Sequence, residues 1–457
     1  MKEQKIMYTT ALKKHSLIKT EIPGPKSLKY FEEEQKYISP GIQTIATLSK
    51  IAVEKGEGCL IEDVDGNRFI DFFAGVGVAS LGYNHPKYVK MMQEQIAKIN
   101  VGSFTSKHRM ELTKLLAENA IGDLIRTQFY SSGAEAVEAA LRLARAYTKR
   151  SEFIGFWGGF HGKTMGVVGL LGDTFKQGLG PLPAGRFLAP YPNERHNLLD
   201  LSDTDIVEAT IQFLKNKIRY ETAGDAAAII VEPIQGTNGN VVPPENFLKR
   251  LSEFAHEIGA VLIADEMITG FGRTGKMFGS QHFNFIPDII TIGKGFGGGY
   301  PMTGLMSRDE IINSKPFANP SGSSSSYGGN PLASTAALST LRVILEEGLI
   351  ENSRRVGEFM LNKLSEFKSK FSFVDDVRGK GLMIGMSLVN PSNRKESLSK
   401  KYTEEIFKKC LNRGLIFMCY NPEIRINPPL VITEEIAEEG ISIMEEVFYE
   451  INEQIKN

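Results

Sequence analysis

Between about residues 85 and 335, short apolar runs alternate with stretches whose apolar positions recur every three to four residues. The runs predict strands at 127–130, 153–157, 226–232, 261–265 and 288–293. Several are almost continuously apolar, as expected of strands covered by helices on both faces. One unit shows the logic. AAAIIVEP closes a strand, then Phe247, Leu248, Leu251, Phe254, Ala255 and Ile258 repeat at helical spacing, Gly259 stops the helix, and VLIADE opens the next strand. Such crossovers build parallel sheets. Ligands in these sheets sit at the carboxyl ends of strands, where Glu232, Asp265 and Lys294 fall.

The two chain ends read differently. Residues 1 to about 50 are polar, broken by Pro23, Pro25 and Pro40, and predict an irregular arm. CLIEDVDGNRFIDFFAG follows, two alternating runs about Asp65-Gly66 that predict a hairpin. After about 340 come a helix, a VRGKGLMIGMSL strand, another helix and a closing strand near 423–426. Thr433 then caps a helix with Ile436, Gly440, Ile443, Val447 and Ile451 on one face. The expected organisation is an arm and small-domain part (1–84), a large domain (85–335) and a C-terminal small domain (336–457) that packs with the early hairpin. The fold class is α/β: a large, mostly parallel sheet covered by helices, plus a smaller α+β domain from both chain ends.

Composition narrows the partners. The chain has 457 residues, long enough for two or three domains without staples. A net charge of -1 gives no field to attract nucleic acid or a membrane surface. No run reaches the ~18 apolar residues of a spanning helix, and the first residues lack a secretory apolar segment. Three cysteines without metal or redox spacing suit a reducing compartment, with the cytoplasm as the expected location and no metal site expected.

The candidate chemistry lies in LIADEMITGFGRTGKMFG and PDIITIGKGFGGGYPM. Asp265 closes one predicted strand and Lys294 another. A lysine amine forms an imine with an aldehyde cofactor only when desolvated and neutral. A carboxylate on the pyridine nitrogen keeps the ring an electron sink. Taken alone, Asp-Glu at a strand end also suits a cap, and a lysine after glycine a solvated loop. GFGRTG matches a dinucleotide fingerprint literally, but no helix-opening sequence follows it. In SSGAEAVEAALRLARAY, Ser132 and Glu135 form a capping-box pattern before a helix, leaving backbone N–H groups free for phosphate. The bland alternative is a well-capped helix. Phe160 and His161 stand between glycines just past a strand, where an aromatic stacks on a flat ring or plugs the core.

Together VDGNRFIDF, SSGAEAVEAA, GFHGKT, VEPIQG, ADEMITGFGRTG, the GK of TIGKG, SYGGNP, VRGKGLMIG and IRINPPL resemble the class III (subgroup II) pyridoxal-phosphate aminotransferases of fold type I, in family order from about residue 40 onward. The resemblance implies that Lys294 holds the cofactor aldehyde and moves the proton, and that Asp265 pairs with the pyridine nitrogen. Phe160 would stack on the ring, with His161 beside it. Gly133 and Ala134, with Ser132, would bind the phosphate, and Met267 would pack under the ring. Ser326 would reach the phosphate of the other subunit, making the enzyme a homodimer with shared sites, alone or paired into a tetramer. Glu232 and Arg425 would form a substrate-carboxylate switch, with Lys163 also at the substrate. The implied partners are an amino donor and a 2-oxo acid acceptor such as 2-oxoglutarate or pyruvate.

Departures from the family pattern touch recognition. Ile268 replaces a glutamine that bonds the cofactor's phenolic oxygen, Lys163 replaces an arginine, Gln235-Gly236-Thr237-Asn238-Gly239 replaces a Gln-Gly-Glu-Gly-Gly run, and the loop before Ser326 lacks a histidine. Lys163 in place of the arginine points to a donor whose far end is neutral, basic or bulky. Transamination is the leading reading. Racemisation needs the same lysine, aspartate and arginine and is the alternative. A catalytically dead binding protein ranks below both, because the lysine and aspartate are present. A nicotinamide oxidoreductase ranks last.

Overall fold

The computed structural model describes residues 14–193 and 203–456 of the chain; residues 1–13, which open the expected arm, lie outside them. The rest of that arm is not wholly irregular: helices form at Pro25–Glu34 and Thr44–Ser49. Pro25 occupies a first-turn position, where a missing N–H costs nothing. The Asp65 carboxylate reaches across to accept from the N–H groups of Lys26 (2.9 Å) and Ser27 (2.8 Å). Those bonds hold its acid below the ordinary carboxylate value despite desolvation.

The early strands are β1 (Val53–Glu57), β2 (Leu60–Asp63) and β3 (Arg68–Asp71), paired antiparallel. The β2–β3 turn is wider than a two-residue Asp-Gly turn. Asp63 Oδ1 gathers the N–H groups of Asp65 and Asn67, and Asp63 N donates to the Asn67 carbonyl.

The central sheet contains β4 (Arg126–Tyr130), β5 (Glu152–Phe156), β6 (Arg186–Ala189), β7 (Ala226–Val231), β8 (Val261–Asp265), β9 (Ile289–Ile292) and β10 (Thr303–Ser307), in the order β4-β10-β9-β8-β7-β5-β6. Its strands run parallel except β10, which is antiparallel to both neighbours. The five expected strands are all present. β6 and β10 were not anticipated, because RFLA is four residues long and TGLMS mixes small and apolar residues without alternation. The apolar runs serve two faces. In β8, Val261 and Ile263 join the layer holding helix Gly133–Thr148, and Leu262 and Ala264 join the opposite one. Each fully buried isoleucine in these strands contributes about 1.5–3 kcal/mol.

Both ends build the smaller α+β part. The expected VRGKGLMIGMSL strand is instead a hairpin of β11 (Val374–Lys380) and β12 (Met383–Asn390). It turns at Gly381, whose φ is +55° and whose Cβ, if present, would lie 2.4 Å from the Thr274 carbonyl carbon. The short β13 (Asn393–Ser397) continues from β12. β14 (Leu415–Ile416) runs parallel to β3, joining early hairpin and C-terminal part as expected. β15 (Glu423–Ile426) pairs with β12, setting Arg425 opposite Gly385. Helix Glu434–Lys456 closes the chain. Thr433 Oγ1 accepts from Ile436 N at 3.3 Å, and Gly440, Ile443, Val447 and Ile451 are buried.

Candidate active site

Asp265 is the last residue of β8, and its side chain is 2% exposed. Oδ2 accepts from His161 Nδ1 at 2.7 Å; Oδ1 accepts from Thr291 Oγ1 at 2.9 Å and from Met267 N at 3.2 Å. Burial disfavours a charged imidazole, but the hydrogen bond and charge of Asp265 outweigh it and hold His161 above its ordinary value. Thr291 was missed in the sequence. Its signal was a lone polar residue in the apolar run of β9, and the strand register sets it beside Asp265. Glu266 turns away and closes the following loop, accepting from Gly279 N, Ser280 N and two hydroxyls.

Lys294 follows β9 at the same sheet end with φ +46°, a left-handed conformation that costs a non-glycine residue about 1–3 kcal/mol and clusters at functional sites. Among the described residues its amine makes no hydrogen bond or ion pair. Burial pushes it below the ordinary lysine value; Glu232 and Asp265 oppose that shift, and Arg425 and Arg273 add to it. Met267 lies between the two sides of the site, its sulfur packed toward Gly293 and Gly133.

Helix Gly133–Thr148 begins here. Ser132 Oγ accepts from Glu135 N at 3.3 Å, as the capping pattern predicts, but the Glu135 carboxylate returns to Ser131 N rather than Ser132 N. The N–H groups of Ser132, Gly133 and Ala134 are left without partners among the described residues, at the positive end of a 16-residue helix. Thr303 Oγ1 fixes this end by donating to the Ser132 carbonyl at 3.0 Å.

Glu232, just past β7, is anchored to backbone. Oε1 accepts from Phe160 N and Oε2 from Gly236 N, both at 2.9 Å. Burial raises its acid above the ordinary value; the charge of His161 and these bonds pull the other way. Arg425 lies close enough to feel the charges of Glu232 and Tyr420, yet its guanidinium makes no ion pair among the described residues. Burial lowers it from its ordinary value. Ile268, fully buried, fills the space beside Glu232 and over Gly77 and Gly236.

The sheet ends thus bring together Lys294, Asp265, His161, Met267, Glu232, Phe160, Arg425 and the helix start at Ser132–Ala134. Two expected residues are exposed. Lys163 is exposed, its ammonium 4.5 Å from the Phe175 ring centre and 5.9 Å from that of Phe160, and Phe160 meets Phe175 edge-on at 5.7 Å. Phe175 was not singled out in the sequence, having no local signal beyond one aromatic in a polar turn. Ser326 is exposed on the loop before helix Pro331–Glu346, and that loop packs on the end of β4 through Ser323 and Gly328. An unpaired lysine amine, a buried carboxylate and three unpaired N–H groups form a donor set that fits pyridoxal phosphate: aldehyde, ring nitrogen and phosphate.

Comparisons with known proteins agree on the family. The Aminotransferase class-III profile matches residues 43–448. An alanine/serine racemase from Pyrococcus horikoshii is 38% identical over 438 residues, covering 93% of this chain and 90% of the relative. A 5-aminovalerate aminotransferase from Pseudomonas aeruginosa is 34% identical over 416 residues, covering 89% and 95%. The crystal structure of an amine transaminase from an uncultivated Pseudomonas species, in its PLP-bound form, superposes with a TM-score of 0.84 at 29% identity, covering 91% of this chain and 98% of that one.

Proposed function

The chain belongs to the class III aminotransferases, pyridoxal-phosphate enzymes of fold type I that move an amino group from an amine or amino acid to a 2-oxo acid, and on that premise we propose which residues do so and for which donors. When bound, pyridoxal phosphate supplies an aldehyde that takes the amino group and a ring that accepts the electron pair left when the adjacent C–H proton departs. Lys294 is the group that holds the cofactor and then, freed, carries that proton; its depressed pKa suits a neutral amine. Asp265, oriented by His161 and Thr291, would hold the ring nitrogen. The N–H groups of Ser132, Gly133 and Ala134 take the phosphate. Phe160 and Met267 would hold the ring from its two faces. Arg425 takes the carboxylate of an amino or oxo acid, while Glu232 is kept off it by the backbone. The observation that carries this reading is the unpaired amine of Lys294 beside the Asp265–His161 pair.

The donor we propose is an amine whose far end is neutral, basic or bulky. Lys163 stands over Phe175 on the surface and offers no bidentate carboxylate grip. Amino-acid racemisation at the same site is a second reading, favoured by the 38%-identical racemase. A homodimer is supported by exposed Ile96, Ile99, Val101, Met110 and Phe104, the last 86% exposed, in and beside helices Pro86–Ile96 and Lys107–Glu118. Ser326 reaches the partner's phosphate in that dimer. We divide the chain at 1–84, 85–335 and 336–457. No helix among the described residues is long and apolar enough to cross a membrane, and three buried free cysteines favour the cytoplasm.

The test is spectroscopic. The loaded enzyme is mixed with a panel of amines and no oxo acid. Transamination predicts that its visible absorption bleaches and returns with 2-oxoglutarate or pyruvate. Absorption that persists while one enantiomer loses optical rotation makes it a racemase. Lys294→Ala should lower turnover by at least about 10²–10⁴-fold; unchanged turnover would sink the assignment of the lysine. Faster turnover of glutamate or 4-aminobutyrate than of ω-amines and bulky amino acids would overturn the donor proposal.

A further inference from the structure

Arg273 is the largest fully buried side chain among the described residues, 1% exposed, and the chemistry above does not use it. Its loop begins at Asp265 and turns under the small domain. Burying a guanidinium is costly, and the cost falls as its hydrogens and charge are met. Nη1 donates to the carbonyl oxygens of Leu382, at 3.1 Å, and of Pro428, whereas Nε and Nη2 have no hydrogen-bond partner among the described residues. The backbone of the same residue is held as well: its carbonyl accepts from Leu382 N at 3.0 Å and Ser353 Oγ at 2.9 Å. The charge that offsets burial is the carboxylate of Asp71, which accepts from Phe73 N, Ala74 N and Tyr83 Oη.

The two carbonyls matter for what they flank. Leu382 immediately precedes β12, and Pro428 lies just beyond the end of β15. Those strands pair, with Gly385 opposite Arg425. One nitrogen of Arg273 therefore ties both strands that frame Arg425 to the loop rooted at Asp265. We infer that Arg273 is a positioning residue for substrate recognition: it fixes the carboxylate-binding guanidinium of Arg425 at the correct distance from Lys294 and Asp265. This rests on the reading of Arg425 as the carboxylate site. A displacement of about 1 Å in such a constellation costs up to about 10²-fold. Lysine at this position keeps the charge but loses the planar fork.

The experiment compares Arg273→Met, Arg273→Lys and Arg425→Met with wild type, all as full-length, cofactor-loaded enzyme. Each is assayed with an amino acid and with a carboxylate-free primary amine, and inhibited with glutarate. Arg273→Met should raise the amino-acid KM and the glutarate inhibition constant by about tenfold or more, with kcat within about threefold and the carboxylate-free amine unaffected. Arg273→Lys should recover part of that loss. If Arg273→Met does not accumulate as folded protein, Arg273→Lys carries the same comparison, with a smaller KM rise on the carboxylate substrates alone. An equal loss on both amines, or unchanged KM and inhibition constants, overturns the inference. An unchanged amino-acid KM in Arg425→Met overturns the reading of Arg425 itself. A raised KM there with none in the Arg273 variants overturns only the role of Arg273.

Discussion

A carboxylate with 2% exposure has lost its water, and three partners take the place of that water at Asp265. His161 is the one that brings charge. Removing a partner from a buried pair leaves the other charge uncompensated, at about 3–5 kcal/mol. His161→Leu should therefore destabilise the cofactor-free protein by about that much, and the loaded protein by less if Asp265 pairs with the ring nitrogen as proposed. Denaturant unfolding with and without pyridoxal phosphate measures both. The pH dependence has a definite sign. His161 is held above its ordinary 6.5, so its stabilisation is fully present below that value and is lost as pH rises through the raised one. As pH rises above 6.5, the cofactor-free wild type should lose stability by a step that His161→Leu lacks. Equal slopes in the two proteins would sink the pairing as a source of stability.

The element that delivers His161 is a short loop pressed onto the start of helix Gly133–Thr148. Gly162 makes the contact: its φ is +118°, and a Cβ there would lie 2.5 Å from Ala134 Cβ. Glu138, one turn into that helix, secures the loop through Thr164 Oγ1 and Gly166 N. Gly162→Ala should push Phe160 and His161 off the helix start, costing about 1–3 kcal/mol from overpacking and weakening pyridoxal-phosphate affinity more than it lowers the melting temperature. Absorbance titration with the cofactor checks this, and unchanged affinity would count against it. Much of this element was legible in the sequence and some was not. Apolar runs marked β5, β7, β8 and β9, and Ser132 marked the helix start, because those signals are local in period and chemistry. The bond between His161 and Asp265 spans 104 positions, and no local pattern encodes it. Arg273 was passed over because a charged residue in a glycine-rich loop normally reads as solvated, and only the small domain's carbonyls make it interior. Ile268 was visible as a lost hydrogen-bond donor, but its packing over Gly77 and Gly236 required the fold. The short β10 escaped because β4 and β9, on either side, stabilise what its own residues do not specify.

At the scale of the whole molecule, the feature left unexplained by one chain is Ser326. It is exposed on a loop beside Tyr327, itself 66% exposed, and its hydroxyl makes no hydrogen bond among the described residues. The apolar side chains from Ile96 to Met110 are exposed as well, a patch of the kind that monomers rarely leave open. The proposed two-fold dimer would account for both, since a self-complementary interface could send each loop to the other chain's site. The prediction is complementation. Ser326→Asp places a carboxylate beside the partner's phosphate and should weaken cofactor binding there. Lys294→Ala removes the chemistry of its own chain. Each homodimer should be nearly inactive. Heterodimers formed by mixing and re-assembly carry one site with both defects and one with neither, so a random equal mixture should recover roughly a quarter of wild-type activity. Recovery in proportion to heterodimer content, measured after separating the species by charge, supports a site shared across the interface. If the mixture stays as inactive as its parents although heterodimers have formed, Ser326 serves the site of its own chain, and the dimer has to be explained by burial of the apolar patch alone.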